Sequence, residues 1–258
     1  WKKPSGLTVM NLLAADLING IIAPLQVAYI HCLLHKIKAP NLFRTIFFLQ
    51  GLFIWTSPMI IIILNVSRLI AILNPFQYTS IVTHSTSGIL LALVWLSGMV
   101  NCFLKRYLAE YSKYKYYVPG VLFHLIVNVM IFGLALYTLM VLKTSGNETR
   151  NDPRARATKT VILVSITYFL TYGYYIYVNI VWMIPGLPQN TENPWLIFTA
   201  IGHWSLSLAH LFLLINSLFN GVMFGLQSHI RLAIENIWVK NYFRSTLLKE
   251  VNQPLITQ

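Results

Sequence analysis

The chain has 258 residues, 56% of them hydrophobic and only 10% charged, where a water-soluble domain ordinarily carries about 25% charge. That shortfall excludes a conventional soluble surface. The net charge of +12 would suit nucleic acid in a soluble protein, but here the basic residues fall between and after long apolar runs. That suits lipid headgroups, so membrane lipid is the expected partner and nucleic acid is not.

The chain opens on WKKPSG, a polar stretch without an initiator Met, and no cleavable signal peptide is visible. It reads as a fragment that has lost its start. A helix needs about 20 apolar residues to cross roughly 30 Å of hydrocarbon. Six stretches qualify: 7–34, 42–73, 87–104, 118–142, 160–184 and 194–226. Backbone groups in lipid must be satisfied within the segment, so each is expected to be helical. No internal repeat or strand alternation competes. The expected fold is all-α, a polytopic membrane helix bundle. After the last span, QSHIRLAIENIWVKNYF alternates apolar and charged residues loosely, as a short amphipathic C-terminal helix on a membrane surface does.

Two cysteines, Cys32 and Cys102, are too few for a disulfide framework. Both sit at the ends of apolar runs, where buried thiols are common; one bridge between them is the lesser alternative. If the start and Arg68 face the cytoplasm, that side holds twelve of the basic residues and the other side seven, in the sense of the positive-inside rule. The sequon at Asn147 would then face the cytoplasm and stay bare.

Ionisable and polar groups inside a membrane are costly, so each is a functional candidate. Of the seven acids, only Asp16 lies deep in an apolar segment. In the second span, Gln50, Ser57 and Arg68 recur at spacings of 7 and 11. At about 100° per residue these fall within about 20° of one face, a polar stripe roughly 27 Å long. A helix with such a stripe belongs at the centre of a bundle. The last span repeats the pattern with His203, His210 and Ser217, with Asn216 and Asn220 nearby. Asp16, Ser57, Asn216, Ser217 and Asn220 are the candidates for a small hydrated pocket, where one carboxylate with neutral oxygen donors would hold a monovalent cation such as Na+. No other cofactor or metal is expected; two histidines without a third ligand are a weak metal signal.

These residues, in this order, resemble the rhodopsin-like (class A) family of G-protein-coupled receptors. NLLAADL (11–17) resembles its second-helix motif, with Asp16 as the buried Asp. SRLIAILNPFQY (67–78) resembles the third-helix DRY motif and the loop after it, with Arg68 as the Arg. Trp95 matches the fourth-helix Trp, Tyr137 the fifth-helix Tyr and Phe169 the sixth-helix Phe. NSLFNGVMF (216–224) resembles the seventh-helix NSxxNPxxY pattern, with Phe224 in place of the Tyr. The resemblance implies a seven-helix receptor domain over 1–238, lacking the first helix, and a cytoplasmic tail over 239–258. It implies a multi-pass plasma-membrane protein that passes the signal of an extracellular ligand to a heterotrimeric G protein. Arg68, Tyr137, Phe169 and Phe224 would serve activation and coupling. By analogy with the family, Gln26, Gln50, Ile54, Tyr177, Ile180 and His210 would line the ligand pocket. Amine receptors carry an Asp where this chain has Gln50, so an amine held by that ion pair is not expected.

Several positions depart from the family pattern. Ser67 replaces the Asp before the Arg, and Ala155 stands where some relatives carry an acid. Both changes imply a weakened inactive state. The sixth-helix CWxP reads YGYY (172–175), and Gly221 replaces the seventh-helix Pro. The fifth helix lacks its midpoint Pro. The third-helix Cys is missing too, with Phe43 standing about there. The missing third-helix Cys and fifth-helix Pro, with the loop YTSIVT (78–83), are similar to the pattern of the melanocortin, adenosine and lysolipid receptor cluster. The alternative function is a membrane transporter or channel fragment, which would favour inverted repeats or several intramembrane charges. An enzyme is not expected, since the chain has no HExxH, GxSxG or phosphate-binding glycine loop.

Overall fold

A computed structural model describes residues 4–34, 40–111, 113–144, 153–183 and 194–225. Among them all regular structure is helical: α1 (Pro4–Leu34), α2 (Pro40–Leu73), α3 (Tyr78–Ile81), α4 (His84–Tyr111), α5 (Lys113–Thr144), α6 (Pro153–Met183) and α7 (Pro194–Gly225). The six long helices match the six expected spans, and the fold is a helical membrane bundle. Only the short α3, in the connection after α2, was not anticipated. The tail helix after residue 226 and Asn147 lie outside the described residues.

Helix starts follow local chemistry. α1, α2, α6 and α7 each open on proline, whose fixed φ suits the first helical position and which has no N–H to leave unpaired there. α4 opens instead on a reciprocal cap. Thr86 N donates to Thr83 Oγ1 at 3.1 Å, and Thr83 N donates to Thr86 Oγ1 at 2.9 Å. Five segments are long and apolar enough to cross a bilayer: Ser5–Leu25, Phe48–Leu73, His84–Leu104, Gly120–Thr144 and Ala155–Val178. The described side chains of α7 add the shorter apolar segment Leu208–Phe224.

The long helices are arranged as a ring around one member. α1, α4, α5, α6 and α7 contact in that cyclic order, and α2 packs against α1, α4, α5 and α6. This is the central place that the polar stripe predicted for α2. Its inward side carries Ile54, Ile60, Ile61 and Leu64, all buried. They pack with Leu12 and Val9 of α1, Val127 and Ile131 of α5, Val161, Val164, Tyr168 and Tyr172 of α6, and Leu213 and Phe224 of α7.

α4 approaches α2 closely at Gly98. A methyl group built there would lie 2.9 Å from Leu52 Cδ1, 3.1 Å from Thr56 Cγ2 and 3.3 Å from Trp55 Cδ1. Above this contact Trp55 Nε1 donates to Ser97 Oγ at 3.0 Å. Gly98→Val is therefore expected to push α4 off α2 at a cost of about 1–3 kcal/mol, typical of overpacking. Thermal unfolding in detergent reads the effect; an unchanged midpoint would mean that the two helices are not this close.

Candidate functional site

The buried polar centre forms where α1, α2 and α7 meet. Asp16 is 1% exposed, and each of its carboxylate oxygens accepts a hydrogen bond from another helix. Ser57 Oγ of α2 donates to Oδ1 at 3.0 Å, and Asn220 Nδ2 of α7 donates to Oδ2 at 2.7 Å. A carboxyl group surrounded by hydrocarbon is costly unless such donors meet it. Here they come from two different helices, so one side chain ties three together. Gly20, one turn beyond Asp16, faces α7: a Cβ there would make ordinary contact with Ser217 Cβ at 3.6 Å.

The other pocket candidates behave differently. Asn216 is buried and its Oδ1 has no hydrogen-bond partner among the described residues, and the same holds for Asn220 Oδ1. Ser217 is buried, but its hydroxyl donates to Leu213 O of its own helix at 3.1 Å. It packs against α1 and does not bond Asp16, because a serine within a helix readily returns its proton to the carbonyl one turn back. Asn19 was not singled out from the sequence. It lies three residues from Asp16, is 1% exposed, and neither its Oδ1 nor its Nδ2 has a partner among the described residues. An amide one turn from the only deep acid was the available signal. Among the described residues no cluster of three or more His, Cys, Asp or Glu side chains could hold a metal.

The six residues expected around a ligand divide into two groups. Gln50, Ile54 and His210 are buried in the bundle. His210 meets Tyr175 edge to face, with ring centroids 6.1 Å apart. The side chain of Gln26 lies outside the described residues, as do those of His203 and Cys32. Tyr177 is 61% exposed, and Ile180 is exposed as well. The reason is helical phase. Nine residues at about 100° each put Tyr177 half a turn from Tyr168, which is fully buried. The inward aromatic residues of α6 are instead Tyr168 and Tyr172, stacked at 3.9 Å, with Tyr175 beyond them at 6.3 Å from Tyr172.

Toward the other end of α2, Arg68 is half-buried and its Nε has no hydrogen-bond partner among the described residues. Ser67, in place of an acid, donates its hydroxyl to Leu64 O at 2.9 Å and makes no pair with Arg68. Ala155 is buried. Phe224 is fully buried in the core cluster, and Phe169 stacks on Phe132 at 4.3 Å. Tyr137 is half exposed, about 120° around α5 from the buried Ile131, and lies outside the core cluster that holds Phe224. Trp95 Nε1 donates to Asn11 Oδ1 at 3.2 Å and ties α4 to α1. Cys102 is buried and donates to Phe48 O at 3.5 Å.

Comparison with curated proteins finds a receptor. Over 188 residues the chain is 20% identical to Chemokine XC receptor 1 of Homo sapiens, covering 66% of this chain. The alignment spans 53% of that receptor, so the chain matches about half of its relative's length. No protein-family model matches. The comparison supports a receptor-like, multi-pass membrane chain at a coarse level. It lends nothing to the melanocortin, adenosine and lysolipid cluster.

Proposed function

We propose that the chain is the transducing bundle of a rhodopsin-like G-protein-coupled receptor of the plasma membrane, taking an extracellular ligand and a heterotrimeric G protein as partners. The observation that carries this reading is the Asp16 junction. A lone carboxyl group deep in the hydrocarbon is bonded to α2 and α7, and the stripe on α2 leads from it to Arg68. A ligand acts by binding two arrangements of the helices with different affinity. On this reading it enters between Gln50, Ile54 and His210, whose mixed apolar and hydrogen-bonding character is that of a small-molecule pocket. The lack of a carboxylate at Gln50 disfavours a cationic amine. Arg68, with no acid beside it, is available to a G protein when α6 moves away.

The donors around Asp16 also fit a monovalent cation. Asp16 supplies the one negative charge, Ser57 a hydroxyl oxygen, and Asn216 and Asn220 each an amide oxygen without another partner among the described residues. A bound Na+ would neutralise the carboxylate and stabilise the bundle through mass action. Replacing choline chloride by NaCl at constant ionic strength is expected to raise the thermal midpoint of the wild type and to leave Asp16→Asn unmoved. Equal response of the two would remove Asp16 from the cation site.

The function itself is tested by nucleotide exchange on purified heterotrimeric G proteins, with the chain in lipid nanodiscs. Exchange above that of empty nanodiscs is expected. Ion current or solute flux in liposomes without any exchange would overturn the receptor reading in favour of a transporter or channel.

A further inference from the structure

We infer that the outer mouth of the seam between α5 and α6, at the Arg68 end of the bundle, binds one anionic phospholipid. Lys143 and Lys159 grip its headgroup, which carries a phosphomonoester. The site requires a membrane-embedded bundle and does not depend on whether that bundle signals.

Phe132 of α5 and Phe169 of α6 stack at 4.3 Å and so stand at one depth. Lys143 lies eleven residues past Phe132. At about 100° and 1.5 Å per residue, it is turned only about 20° from Phe132 and stands about 16 Å farther toward the end of α5. Lys159 lies ten residues before Phe169, about 15 Å farther toward the start of α6. The two lysines therefore share one depth. Asn65 of α2 donates to Ser165 Oγ of α6 at 2.8 Å, which places the start of α6 beside the Arg68 end of α2.

Their directions converge as well. Lys143 keeps the α6-facing flank of Phe132. Lys159 lies eleven residues before Leu170, hence about 20° from a side chain that is 65% exposed. Both lysines are exposed, so they flank the seam from its outer side. Farther into the bilayer the seam turns apolar. Leu136 and Val129 lie seven and fourteen residues before Lys143 on α5, and Leu163 and Leu170 follow Lys159 on α6. Val129, Leu163 and Leu170 are exposed, and an acyl chain lying along them would use this surface. A free phosphate would leave it unused.

Nothing within the two helices answers these charges. Neither α5 nor α6 contains an acid, and neither lysine has an ion-pair partner among the described residues. Lys143, in the last turn of α5, suits the dipole of that helix. Lys159, in the second turn of α6, has no such local reason. Two like charges at one depth are matched by a headgroup that brings two negative charges, as a phosphomonoester does. The excess of basic residues assigns this end to the cytoplasmic leaflet, where basic pockets between membrane helices take up anionic headgroups.

The test is native mass spectrometry of the full chain in detergent, titrated with dioleoyl phosphatidylinositol 4-phosphate. One bound lipid is expected, held more tightly than phosphatidylserine or phosphatidylcholine. Lys143→Gln and Lys159→Gln should each weaken it about fivefold, and the double variant at least about tenfold. Arg156→Gln removes the same charge from a different flank. Arg156 lies eighteen residues, five full turns, before Tyr174, which meets Phe212 of α7 at 5.1 Å. This variant should bind within about twofold of the wild type. All these side chains are exposed, so the thermal midpoints of the variants should match and exclude misfolding. An equal loss in Arg156→Gln would reduce the effect to diffuse surface charge and overturn the site. Undiminished binding in the double variant, or phosphatidylserine bound equally well, would overturn it too. Soluble inositol 1,4-bisphosphate should bind at least about tenfold more weakly than the lipid; equal binding would exclude a lipid as the occupant.

Discussion

Asp16→Ala lowers the thermal midpoint of the bundle by about 6–12 °C, and Asp16→Asn by only about 2–4 °C. The first variant strands Ser57 Oγ and Asn220 Nδ2, which both donate to the carboxylate. Leaving buried donors unmet costs about 3 kcal/mol, and each kcal/mol moves the midpoint of a chain this size by about 2–4 °C. The second variant keeps the shape and offers an oxygen to Ser57. Its new N–H groups face Asn220, whose Oδ1 has no other partner among the described residues. A flip of the Asn220 amide then restores the second bond, so only the difference between a charged and a neutral acceptor is lost, about 1 kcal/mol. Thermal unfolding of the purified variants in one detergent measures both. Equal losses would mean that the carboxylate works through charge alone. No loss in either would mean that the junction does not hold the bundle.

Arg68→Ala is expected to separate signalling from stability. The guanidinium is half-buried, its Nε has no partner among the described residues, and Ser67 is turned away. Removing it strips no hydrogen bond from Nε, so the thermal midpoint should stay within about 2 °C, as for a change away from a buried paired group. At an interface with a G protein the same truncation removes a charge-assisted contact worth about 2–5 kcal/mol, so nucleotide exchange should fall about 30-fold or more. Arg68→Lys should not restore it fully, because an ammonium lacks the planar fork that engages backbone carbonyls and carboxylates in pairs. Full exchange in Arg68→Ala would take Arg68 out of the coupling face. A large fall in the midpoint would make it a structural residue instead.

The central helix was legible in the sequence; the inward face of α6 was not. The stripe of Gln50, Ser57 and Arg68 announced a central α2, because polar groups in lipid have only the interior in which to find partners. The same logic singled out Asp16 and brought it together with Ser57 and Asn220. The exposure of Tyr177 and Tyr137 could not be read the same way. In water, a helix marks its buried face with apolar residues and its exposed face with polar ones. In lipid both faces are apolar, so Tyr168 and Tyr177 look alike in sequence although one is fully buried and the other 61% exposed. Asn65 stood in plain view three residues before Arg68, yet nothing in its own neighbourhood named Ser165, a hundred positions away, as its acceptor.

By itself the sequence determined that this is a chain of long membrane helices: their number and approximate limits follow from segment length and from the need of a backbone in hydrocarbon to bond to itself. It also determined which few polar side chains would have to be dealt with. Only the tertiary structure decided how. The ring order of the helices, the rotation of α6 that turns Tyr172 inward and Tyr177 outward, and the choice of Asn220 and Ser165 as partners all depend on close packing between helices. That packing is set by shape and by pairwise bonds across long sequence separations, and hydropathy, uniform around each helix, carries no record of it.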